Sequence, residues 1–282
     1  MRYFNNLVAS LVILFSAGSA VADDHLQVPE YGGVETYACS FNEGKDMDDL
    51  LKAAKKWDKW FDKNSTVGYT GLVLTPYYYD SLEADVYWIG FSSSLEDQAV
   101  AQTEFLATDL AADFYDVYTC ESHAQLAWVR VRDEVGPSTD GVVDFSACAM
   151  LPGATQESLS AADQKMNAFL TEIDSTARIY RWYPMQGGEA NGADFYQAGW
   201  SSSLQEKGAN ADKFVRGGGP LVQASLYGEL LSCNSGPTAN YLEVGGGIVE
   251  ILSGKATFLR DQLGVEAKIS KICVRDASRQ RD

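Results

Sequence analysis

The thirteen residues from Ala84 to Glu96, ADVYWIGFSSSLE, return as ADFYQAGWSSSLQ from Ala193 to Gln205, so the chain carries two copies of one unit. Whatever the unit folds into must be buildable twice, and each copy must help cover the other's apolar surface. In the first copy Asp85, Tyr87, Ile89 and Phe91 alternate with Val86, Trp88 and Gly90, the period of a β-strand. The second keeps Asp194, Tyr196, Ala198 and Trp200 on the matching face. On the other face Trp88 is answered by Gln197, a change that a sealed core resists because a buried amide needs partners. Ser93 with Glu96, and Ser202 with Gln205, each form a capping-box pattern, which predicts a helix start in both copies.

The flanking sequence extends the repeat. Val34 to Phe41 reads as a strand, and Asp46 to Asp62 as a helix with Leu50, Ala53, Trp57, Trp60 and Phe61 on one face. Tyr69 to Thr75 is a second strand ended by Pro76, and Asp85 to Phe91 is the third. A capped helix from Leu95 to Thr119 and a strand from Leu126 to Val131 complete the unit. A shift of 109 positions, the offset from Cys39 to Cys148, places Leu159, Ala162, Met166, Phe169 and Leu170 on the five helix positions just named. Val143 to Met150, Arg178 to Tyr183 before Pro184, and Asn240 to Val244 are the corresponding strands. One departure is Arg216-Gly217-Gly218-Gly219-Pro220, which interrupts the last helix of the second copy. It reads as an insertion, with an anion-holding loop as the alternative. The copies occupy 34–133 and 142–246, joined by a linker over 134–141 and followed by an extension over 247–282 in which Ile269 to Val274 suggests a strand.

Met1 to Ala22 has an early Arg2, an apolar run and an Ala20-Val21-Ala22 ending, the pattern of a secretory signal peptide. An extended arm follows over 23–33, and the expectation is a periplasmic or secreted protein. No later run is long and apolar enough for membrane insertion. The formal net charge of −17 argues against nucleic acid and anionic lipid, which need clustered Lys and Arg. The partner is expected to be an unidentified small molecule or protein.

The order strand, helix, strand, strand, helix, strand resembles the ferredoxin-like arrangement, in which strands one and four are antiparallel neighbours. That places Cys39 beside Cys120 and Cys148 beside Cys233, and export predicts an oxidising compartment, so two disulfides are expected. Cys273 is left over, as a buried thiol or a link between chains. Tandem copies of such a unit resemble the dimeric α+β-barrel superfamily. The implied fold class is α+β: two tandem ferredoxin-like βαββαβ repeats packed sheet to sheet as an intramolecular α+β barrel around a central cavity. Members of that superfamily include cofactor-free monooxygenases, haem-using enzymes and proteins without known catalysis, so the fold does not hand down a function.

Candidate chemistry is sparse. His123 lies between the second helix and the fourth strand, where the second copy has Gly236, and that asymmetry suits a single active site on a duplicated scaffold. It would serve as a general base or a haem ligand, with Arg130 as its companion, against the plainer reading of a loop histidine. Cleavage after Ala22 would start the chain Asp23-Asp24-His25, a square-planar copper or nickel site. Trp88 and Gln197 on the third strands are expected to share a face with Trp128, Arg130, Tyr241 and Glu243 on the fourth. They would line a ligand cavity, or form the contact between repeats with Arg130 paired to Glu243. No cofactor is predicted, haem or Cu/Ni being the alternatives. The favoured role is non-catalytic binding or interaction, and the alternative is a small-molecule oxygenase or haem-dependent enzyme using a cavity between the repeats.

Overall fold

The computed structural model describes residues 30–81, 84–133, 138–187 and 192–245. The stretch read as a signal peptide, Asp23, Asp24, His25, Cys273 and the strand expected over Ile269 to Val274 lie outside the described residues. The first repeat runs β1 (Tyr31–Phe41), α1 (Met47–Asn64), β2 (Thr70–Tyr78), β3 (Val86–Ser92), α2 (Leu95–Leu106), α3 (Leu110–Val117) and β4 (Tyr118–Arg132). The second runs β5 (Asp140–Met150), α4 (Gln156–Glu172), β6 (Arg178–Gln186), β7 (Phe195–Ser201), α5 (Leu204–Arg216), α6 (Gly219–Tyr227) and β8 (Leu231–Gly245).

The eight strands close into one antiparallel barrel in the order β1-β3-β2-β8-β5-β7-β6-β4. Each repeat contributes a four-stranded sheet, and the sheets join edge to edge where β2 pairs with β8 and β4 with β6. Closure leaves no strand edge unpaired, which removes the aggregation hazard of an open sheet. Strand periodicity then separates the side chains. Val34, Leu72, Leu74, Ile89, Leu126, Val143, Trp182, Ala198, Trp200 and Tyr241 fill the lumen. Cys39, Val73, Val86 and Trp88 face outward and are covered by Leu50, Trp57 and Phe61 of α1 and by Phe114 of α3. No helix among the described residues is long and apolar enough to cross a membrane.

Both expected disulfides are present, Cys39–Cys120 and Cys148–Cys233, each tying the first strand of a repeat to its last. Several local expectations need correction. The helix caps are Ser94, which accepts from the Asp97 N–H, and Ser203, which accepts from the Glu206 N–H, one residue later than the pattern suggested. The second helix is broken in both repeats. In the first, Thr108 Oγ1 accepts the Leu110 N–H and donates to the Phe105 carbonyl, so the side chain competes with the helix ladder. In the second, Gly218 takes φ +81°, a left-handed conformation that glycine adopts without strain. Pro76 and Pro184 lie inside β2 and β6 rather than ending them. Both sit beside irregularities in register, where a missing N–H costs the ladder little. The fourth strands begin earlier than expected, at Tyr118 and Leu231, so His123 is on a strand and not in a loop.

Candidate functional site

The least expected side chain in the first repeat is Glu35. It shares the outward face of β1 with Tyr37 and Cys39, under the helices, and is only 2% exposed. A carboxylate so placed is costly unless donors surround it. Four reach it. The Tyr69 hydroxyl donates to Oε1 at 2.5 Å, and the Gln102 amide donates to the same oxygen. His123 Nε2 lies 3.1 Å from Oε2, and the Tyr37 hydroxyl 3.4 Å from it. Trp88 Nε1 in turn donates to Tyr69 Oη at 2.9 Å. Burial first, and then the neighbouring Glu35 charge, push the phenols of Tyr37 and Tyr69 far above their ordinary range, so both act as neutral donors.

His123 is brought to Glu35 by an irregularity in pairing. Tyr37 pairs with His123 and Cys39 with Cys120, which leaves Glu121 as an extra residue in β4. Such a bulge re-aims the side chains beyond it, and here it puts His123 on the same face as Cys120. The imidazole stacks on the Tyr37 ring, with centroids 3.8 Å apart and planes 11° from parallel. Its side chain is 51% exposed while its partner carboxylate is sealed. A carboxylate only accepts, so the ring carries its hydrogen on Nε2 and keeps Nδ1 as the basic nitrogen. His123 and Tyr37, but not the sealed Glu35, line a cavity of about 390 Å³ between sheet and helices, walled by rings that include Trp57, Trp88, Phe105 and Phe114.

A glycine makes room for this network. A Cβ on Gly90 would lie 1.8 Å from Tyr69 Oη. Gly90→Ala should therefore push Tyr69 off Glu35 and destabilise the fold by about 1–3 kcal/mol, as overpacking does. Chemical denaturation of the variant checks the stability, and the Tyr69 hydroxyl proton resonance checks the displaced contact.

The other expected site residues divide between the two faces of the sheet, Trp128 and Tyr241 on the lumen side and Trp88 under the helices. Trp88 pairs with Tyr37 and Val73 and points beneath the helices, and Gln197 holds the equivalent place in the second repeat. Trp128 pairs with Gly32, one residue out of phase with Tyr37, and packs with Tyr180 on the lumen side. Tyr241 fills the lumen and bonds Ser138 and Arg178. Arg130 pairs with Glu30 at 3.0 Å, neither with Glu243 nor beside His123. Glu243 stands opposite Leu72 on the β2·β8 seam.

Burial, aided by the Asp58 charge, raises the Glu243 carboxyl from 4.5 to about 7. A carboxyl raised on folding binds its proton more tightly in the native state, so its penalty is absent below about pH 4.5 and complete above pH 7. Glu243→Gln should raise the melting temperature at pH 8 and leave it unchanged at pH 4, as thermal melts at the two pH values would show.

No family model matches the sequence, and no curated protein does. Solved structures match its fold. A protein assigned as a chlorite dismutase superimposes with a TM-score of 0.50 at 12% identity, covering 78% of this chain and 98% of its own. A chlorite dismutase variant from Candidatus Nitrospira defluvii gives 0.48 at 12%, covering 80% and 95%, and a protein from Lactobacillus acidophilus assigned as a monooxygenase gives 0.47 at 10%, covering 78% and 99%. The chain thus has the dimeric α+β-barrel fold seen in chlorite dismutase-like proteins, with both halves in one polypeptide.

Haem, which that fold accommodates in some members, is not matched by these residues. Among the described residues, neither the helix-covered cavity nor the lumen cavity is lined by Lys or Arg to meet propionates. Cys39, Cys120, Cys148 and Cys233 are oxidised. Tyr37, Tyr69 and Tyr118 are held as phenols, and His123 gives Nε2 to Glu35, so an axial bond in the helix-covered cavity would fall to His123 Nδ1, with no cation lining that cavity to meet a propionate.

Proposed function

We propose that this chain is an exported enzyme acting on an uncharged aromatic or enolisable small molecule, and that its chemistry is proton transfer at His123. The observation that carries the reading is the buried Glu35 held by Tyr69 and Gln102 and set against a half-exposed His123, beside an aromatic-walled cavity. Glu35 is the positioning residue and His123 the base. The substrate C–H or O–H bond breaks, its electron pair stays on the substrate as an enolate or phenolate, and the proton passes to Nδ1. The resulting imidazolium faces the Glu35 carboxylate, which stabilises it as the charge forms.

Enzyme chemistry is thereby better supported than passive binding, since a scaffold alone gives no reason to bury a carboxylate against a histidine. The small-molecule oxygenase alternative begins at the same anion, dioxygen being the co-reactant. The two disulfides support an oxidising compartment. The test is solvent deuterium exchange into a panel of enolisable ketones and phenolic ring carbons, read by NMR, with oxygen uptake recorded in parallel. Exchange catalysed by the wild type and not by His123→Ala is expected. Exchange of equal rate in both proteins would show that the dyad is structural.

A further inference from the structure

On the other side of the sheet from His123, the barrel lumen holds a separate cavity of about 370 Å³. Its wall is made of positions matched between the repeats: Tyr87 with Tyr196 at the 109-residue offset, and Ala124 with Pro237 and Leu126 with Ala239 at the offset from Cys120 to Cys233. The cavity therefore straddles the pseudo-twofold relating the halves and belongs to neither repeat alone. Its origin is a difference in side-chain volume. Part of the lumen is filled by Trp182, Trp200 and Tyr241, whereas here Ala124 and Ala239 face a space that larger residues would close. At this end Pro76 and Pro184, both in the wall, sit beside irregularities in the β2·β8 and β4·β6 seams. Irregular register at a barrel rim lets strands splay and gives a way in.

We infer that the lumen is a second binding site, for an uncharged, largely apolar molecule of two or three aromatic rings. Packed interiors leave few voids larger than a water molecule, and a wall of aliphatic and aromatic carbon gives water few partners. An apolar solute is the stable filling. Among the described residues the wall contains no Lys, Arg or His, and the acid it does contain, Asp80, disfavours an anion. The Thr36 side chain adds a hydroxyl to the wall that can orient such a molecule.

The test uses N-phenyl-1-naphthylamine, an uncharged fluorescent probe, with the whole mature chain. Saturable binding at one lumen site is expected, weakened at least tenfold by Ala239→Phe and by Ala124→Phe. Ala101→Phe, which fills the helix-covered cavity instead, should leave it unchanged. Should a lumen variant fail to fold, nuclear Overhauser contacts from the probe to the Ala124 and Ala239 methyls of the wild type decide the matter. No saturable binding, binding lost only in Ala101→Phe, or contacts that avoid both methyls would each overturn the inference.

Discussion

His123→Ala should slow the proposed proton transfer by about 10²–10⁴, the range a positioned general base contributes, and added imidazole should restore part of the rate. Glu35→Gln should lose a comparable factor for a different reason. Tyr69 and Gln102 both donate to Oε1, so an amide at this position turns its oxygen to them and its NH₂ toward His123. Nε2 must then accept, the ring proton moves to Nδ1, and the basic nitrogen is lost from the substrate side. Nitrogen-15 spectra of His123 would show the tautomer change directly, a signature that a purely structural role for Glu35 does not produce. Imidazole should not rescue this variant, because the misaligned ring still occupies its place. Unchanged tautomer with unchanged rate would remove Glu35 from the mechanism.

Cys39→Ser combined with Cys120→Ser should cost about 4 kcal/mol, because the bridge closes a loop across a sequence separation of 81 residues and the unfolded chain regains that freedom. In a protein of this size the loss corresponds to a fall in melting temperature of about 8–16 °C, measurable by calorimetry. The effect reaches beyond stability. Cys120 is adjacent to the bulged Glu121 that turns His123 toward Glu35, so freeing it loosens the pairing on which the dyad's geometry depends. The matching pair Cys148→Ser and Cys233→Ser should lower stability by a similar amount and leave the His123 tautomer untouched. A drop of only one or two degrees in the first variant would mean that the unfolded chain retains structure around these cysteines.

The parts of the fold that could be read from the residues are those with a period or a partner. Alternation in Asp85 to Phe91, the helical spacing of Leu50, Ala53, Trp57 and Phe61, and the 109-residue offset each encode one element in a short stretch. The cysteine pairs followed once strands one and four were neighbours. Glu35 had a legible signal that went unused: it lies four residues before Cys39, on the face the disulfide buries, and a carboxylate on a buried face needs a reason. His123 was singled out for its asymmetry, yet its partner and its place on β4 were not visible, because polar Glu121, Ser122 and His123 do not look like a strand when no core faces them. The expected cluster split because Trp88 and Gln197 are out of phase with Trp128 and Tyr241, and because Arg130 is drawn to Glu30.

From the residues in order came the duplication, the element types and the sulfur bridges, since each rests on local periodicity or on a covalent pair, while the barrel class came through the resemblance that the repeated element order carries. Folding in three dimensions settled which strands meet at the β2·β8 and β4·β6 seams, which of the two cavities His123 lines, and where one extra residue enters β4. In a sheet a shift of one residue sends a side chain to the opposite face, and that shift depends on hydrogen bonds and packing summed over whole strands from distant parts of the chain. Glu35 and His123 meet because of that long-range sum.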